Sequence, residues 1–161
     1  MHPDNEDFAL FVSSLEKNGL ISPGIDPQMK NNLKEVHRRI YSFLIWDQNL
    51  KHLPDRASLF LKEMRSDAIS SIILVLSGHN KASAHYLRNI IENVVRLIYF
   101  ADHPIEYIQL YDSEFRKDEM SFKCYFQYLV NHPIVGQHTK ALNVVDKLIN
   151  AYSETSRYVH A

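Results

Sequence analysis

Apolar residues recur every three to four positions along most of this chain, which is the spacing of a helix with one buried face. From Pro27 to about Lys51, Met29, Leu33, Val36, Ile40, Phe43, Leu44 and Leu50 share a face. A second stripe, Ala57, Leu61, Met64, Ala68, Ile72 and Val75, marks a helix over about 55–77 that turns apolar all round near its end. Leu87, Ile91, Val94, Ile98 and Ala101 mark a third long helix over 81–102. Ala141, Val145, Leu148, Ile149, Tyr152 and Val159 mark a fourth, over 137–160. Shorter helices are expected over 4–15 and 105–111. Another is expected from a cap at Asp112 or Ser113 to Val130, with Phe122, Phe126 and Leu129 inward.

The breaks fall where helix-stopping residues stand. They are Asn18-Gly19, the ISPGIDP stretch at 21–27, Leu53-Pro54, Gly78, His103-Pro104 and the Asn131–Gly136 loop. Asp26 before Pro27 combines an N-cap acceptor with proline at the first helical position; Asp55 and Asn80 are placed to cap the next two long helices. No stretch alternates with period two. The pattern therefore predicts an all-α, up-and-down bundle of about four long helices plus short N-terminal and connecting helices. Residues 1–25 form a short helix and linker, and residues 26–161 form the bundle.

Composition narrows the chemistry. With 161 residues and a formal net charge of -1, the chain suggests one domain with no global cationic field, so bulk charge gives it no affinity for nucleic acid. A single cysteine, Cys124, excludes an intramolecular disulfide and fits a reducing compartment. The opening MHPDNEDF is acidic, unlike a signal peptide, and the longest apolar run is too short to span a bilayer. A cytoplasmic protein with no membrane partner is expected. The 9 histidines form neither HExxH nor Glu-x-x-His, and no glycine-rich phosphate loop is present, so neither metal nor cofactor is expected.

Three sets of polar residues depart from the simple pattern. On the helix over 81–102, His85, Arg88, Glu92 and Arg96 form a polar stripe with two i,i+4 ion pairs. Its plain reading is a solvated face, with Arg88 nearest the core edge and in need of a carboxylate from Glu92 or Asp47. Asp47 itself falls on an apolar stripe close to a helix end, where escape to solvent is the simpler outcome. In the closing YSETSRYVHA, Ser156 points inward, His160 lies at the rim and Arg157 turns outward. A histidine there can move a proton near neutral pH and an arginine can hold a phosphate. The plain reading is a cationic last turn that complements the helix dipole.

The helical bundle, the segment LRNIIENVVRLIYF at 87–100 with its Arg88-Asn89 start, and the closing ETSRYVHA together resemble the HEPN-like superfamily of helical proteins. Catalytic members of that superfamily carry an arginine, often followed by a polar residue such as Asn, and then four to six residues before a histidine on the same helix. They cleave RNA without metal, as dimers. Here two residues separate Arg157 from His160, and no histidine follows Arg88-Asn89 before His103. The resemblance implies metal-independent RNA cleavage or RNA binding in a toxin–antitoxin or phage-defence setting. His160, Arg88, Glu92 and Arg157 would be catalytic, with His85, Arg96, Ser156 and Asp47 in binding roles. The alternative is a non-catalytic helical interaction module that dimerises or binds a protein partner. The uncapped last helix favours a homodimer under either reading, and is also what a fragment of a longer protein would show.

Overall fold

The computed structural model describes residues 3–50, 55–111 and 120–160. Among the described residues seven helices follow one another: α1 (Pro3–Lys17), α2 (Pro27–Asn49), α3 (Asp55–Leu76), α4 (Asn80–Asp102), α5 (Pro104–Tyr111), α6 (Phe122–Asn131) and α7 (Thr139–His160). No strand occurs among the described residues, and the molecule is an all-α bundle. No described helix is long and apolar enough to cross a membrane.

Local signals account for most helix ends. The Asp26 carboxylate accepts a 3.0 Å hydrogen bond from the Met29 amide, with Pro27 opening α2. Gly78 takes a φ of +79°, a left-handed conformation that lets α3 turn tightly into α4. The residue preceding α4 is His79, not Asn80, and its side chain makes no capping bond. α6 also departs from expectation: it begins at Phe122, after Ser121, although a helix from Asp112 or Ser113 was expected. The proposed caps at 112 and 113, and the Leu53-Pro54 break, lie outside the described residues.

α4 is the central element. It packs against α3, α5, α6 and α7, while α2 lies on α3 and α1 lies on α2. The contact of α3 with α4 is lined with small residues. Ala68, Ser71, Ser83 and Ala84 are all buried, and the Ser71 and Ser83 hydroxyls bond at 2.8 Å. Around this axis Phe60, Leu61, Met64, Ile91, Val95, Phe100, Tyr125, Leu129 and Val145 form the main core. A second cluster of Phe8, Leu15, Ile21 and Leu33 ties α1 and its linker to α2. Buried His37 adds to this tie through a 3.0 Å bond from Nε2 to Asp7.

Central placement of α4 corrects the expected stripes. A helix with neighbours on several sides buries more than one face, so Val95, Leu97 and Tyr99 are buried while Leu87 is exposed. Val36 and Val75, both expected inward, are exposed as well.

Candidate functional site

From Arg88 to Arg96 the polar stripe of α4 is not a solvated face. α7 lies along it, and the start of α6 closes one side. The side chains of Arg88, Glu92 and Arg96 are only 24%, 13% and 21% exposed. Glu92, not Arg88, is thus the most enclosed of the three. Its Oε1 accepts from Arg88 Nε at 2.9 Å, and its Oε2 lies 3.7 Å from Arg96 Nη1. One carboxylate serves both guanidinium groups.

Arg88 reaches across to α7 in two places. Its Nη2 donates to the Tyr152 hydroxyl at 3.0 Å, and its Nη1 lies 3.4 Å from His160 Nε2. Arginine can only donate, so that contact requires an unprotonated Nε2 on His160. The Arg88 guanidinium also stands over the Tyr152 ring, 5.1 Å from its centroid. Burial alone would lower the Arg88 pKa. The Tyr152 hydroxyl and the Glu92 carboxylate outweigh it, and the net shift is upward.

Two further contacts close a ring of side chains. Tyr152 stacks on Phe122 of α6 at 5.3 Å and 20°, and Arg96 stands 5.0 Å over Phe122. The circuit Glu92, Arg88, Tyr152, Phe122, Arg96 and back to Glu92 therefore joins α4, α6 and α7. Beside it runs an apolar groove of about 390 Å³, lined in part by Phe122, Phe126, Val130, Ile149 and Tyr152.

Not every residue expected at the site joins it. Ser156 does point inward, and its Oγ is buried with no hydrogen-bond partner among the described residues. Arg157 is exposed and contacts neither Arg88 nor Glu92. His85, on the first turns of α4, is exposed, and its ring stands edge-on to that of Tyr86. Asp47 is half-buried near the end of α2, and α2 packs on α3 rather than on α4. It does not supply the Arg88 counterion.

A second polar cluster escaped the sequence reading because its members come from three different elements. At the C-terminal end of α4, Asp102 Oδ2 accepts from the Tyr128 hydroxyl at 2.6 Å and from His132 Nε2 at 2.9 Å. His132 Nδ1 accepts from the backbone amides of Ile134 and Val135 at 3.1 and 3.3 Å, which fixes the proton on Nε2. The Tyr128 hydrogen bond, opposed by burial and reinforced by His132, holds the Asp102 carboxyl below its usual range. Next to it His103 stacks on Tyr99 at 4.2 Å, and the Tyr99 hydroxyl donates to Glu106. The bonds of Asp102 to Tyr128 and His132, and of His132 to the Ile134 and Val135 amides, pin α6 and the loop after it onto α4. Among the described residues no three His, Cys, Asp or Glu side chains converge as a metal site would require. Compared with protein-family profiles, with curated proteins and with solved structures, the chain finds no match.

Proposed function

We propose that the α4–α7 site acts on RNA without a metal, as a HEPN-like endoribonuclease or RNA-binding site in a toxin or phage-defence setting. One observation supports this reading: Arg88 of α4 contacts both Tyr152 and His160 of α7, putting a guanidinium, a phenol and an imidazole at one place. That donor set suits transesterification at a phosphodiester. His160 Nε2 takes the 2′-hydroxyl proton, the 2′-oxygen attacks phosphorus, and the bond to the 5′-oxygen breaks. The products are a 2′,3′-cyclic phosphate and a 5′-hydroxyl. Arg88 neutralises the charge growing on the phosphate oxygens. The Tyr152 oxygen already accepts from Arg88, so its own proton is free to donate to the phosphate. Glu92 fixes the Arg88 head. The leaving 5′-oxygen takes its proton from a protonated His160 of a second copy, and that copy also brings its own Arg88 to the phosphate, because a chain of net charge -1 has no bulk cationic field.

A 2′-hydroxyl requirement makes RNA the substrate and leaves DNA intact. The purified protein is incubated with structured and single-stranded RNA in chelator, beside His160→Ala and Arg88→Ala. His160 lies on the exposed last turn, so its replacement leaves the fold intact. Cleavage by the parent that both variants lose is the expected result. No cleavage and no RNA binding at low salt would sink the proposal. A non-catalytic interaction module is then left, and one observation favours it: Nε, Nη1 and Nη2 of Arg88 all have partners within the chain.

A further inference from the structure

On the side of α4 that faces α3, a polar cleft of about 390 Å³ opens between the two helices. Glu63 and Asp67, one turn apart on α3, line one wall; Asn89, Asn93 and Arg96 of α4 line the other. Asn93 is only 5% exposed, yet its amide makes no hydrogen bond with any described residue. Its amide lines the cleft and so borders open space. The two carboxylates are more open: Glu63 is exposed and Asp67 half-buried. Neither Glu63 nor Asp67 has an ion-pair partner among the described residues. Burial and the neighbouring Glu63 charge push the Asp67 carboxyl up, with His85 opposing them only in part.

The cleft therefore carries two carboxylates and one guanidinium, and Glu92 already shares that guanidinium. What it lacks is a cation with several hydrogen-bond donors. We propose that the cleft between α3 and α4 binds a small organic molecule through a protonated amine. The ammonium group bonds to the Glu63 and Asp67 carboxylates, and the carbonyl oxygens of Asn93 and Asn89 accept its remaining protons. Asparagine oxygens suit a compact ammonium donor, whereas Arg96 in the same cleft repels a bare divalent ion more strongly than a singly charged one. A carboxylate on the same ligand would meet Arg96. This proposal does not depend on RNA cleavage.

Calorimetric titration and thermal melting of the whole chain decide it, with 1,4-diaminobutane and L-alanine as probes at constant ionic strength. The diamine tests the ammonium alone, and alanine adds the carboxylate aimed at Arg96. Saturable one-to-one binding of either probe is expected. Glu63→Gln, an exposed change, and Asn93→Leu, of similar shape, should each weaken it by about tenfold or more, as expected for losing one charge-assisted hydrogen bond. Without ligand, Asn93→Leu should melt close to the parent, because it keeps the shape and breaks no hydrogen bond with a described residue. The proposal is overturned if neither amine binds, or if both variants bind as the parent does. It is also overturned if calcium chloride stabilises the protein more than the amines do.

Discussion

Replacing Glu92 with glutamine tests the side-chain ring most directly, because one carboxylate serves two arginines. The amide keeps the shape and removes the charge. Arg88 and Arg96 then share one face of α4 with no common counterion. Breaking a fully buried ion pair typically costs about 3–5 kcal/mol. The two arginine heads are 24% and 21% exposed, so both can swing partly into water. Solvent screening reduces the expected cost to about 1.5–3 kcal/mol. In a chain of 161 residues this corresponds to a fall in Tm of about 4–8 °C. The internal control is Glu35→Gln on α2. Glu35 also serves two arginines, Arg38 and Arg39, and its bond to Arg39 has the same 2.9 Å length, but the Glu35 and Arg39 side chains are 50% and 79% exposed. That change should cost less than about 0.5 kcal/mol. Urea and thermal melts followed by helical circular dichroism measure both. Equal losses for the two variants would falsify the claim that α7 encloses the Glu92 pair.

Two further outcomes follow from other contacts. Burial, then the bond to Asp102, pushes the Tyr128 hydroxyl up to about 12. A raised folded-state value contributes stability that is complete below the unfolded value near 10 and is lost as pH rises toward 12. Alkaline melts should therefore lose stability across that window, and Tyr128→Phe should flatten the loss without abolishing it, since Tyr99 is shifted in the same direction; an unchanged profile refutes the assignment. Gly136→Ala should destabilise by about 1–3 kcal/mol, the usual cost of overpacking, because a Cβ there would meet the Val130 and His132 carbonyl oxygens at 2.7 and 3.0 Å. A melt matching the parent's would show that the loop shifts freely.

Helix positions were legible in the sequence because periodicity and end signals are local. The Asp26-Pro27 start and the Gly78 turn depend on a few adjacent residues and appear as expected. Burial was less legible, because it depends on how many neighbours a helix has. Leu87 belongs to a well-spaced apolar stripe and is nevertheless exposed, since α4 contacts its neighbours through other faces. For the same reason the polar stripe was read as solvated. A helical wheel places Arg88, Glu92 and Arg96 together correctly but does not show that α7 covers them. The contact of Arg88 with His160, 72 residues apart, has no local signal. Phe122 and Tyr152 were read as core residues, and nothing in their spacing shows that the two rings link the arginines.

The two polar regions of α4 meet at one residue. With about 100° between successive residues, Arg88 and Glu92 lie about 40° apart on the side of α7. Asn89 and Asn93 lie about 40° apart on the side of α3. Arg96 falls between the pairs, one turn from both Glu92 and Asn93. The structure agrees: Arg96 contacts the Glu92 carboxylate and also lines the α3–α4 cleft. A ligand group drawing Arg96 into the cleft would leave Glu92 to Arg88 alone and tighten the hold on the guanidinium that faces His160. By linkage, whatever binds at Arg88 must then alter affinity in the cleft by the same factor. A helix confined to packing would have filled these positions with apolar side chains at no desolvation cost. Here five adjoining polar residues occupy the central helix of the bundle, and one of them, Asn93, makes no hydrogen bond with any described residue.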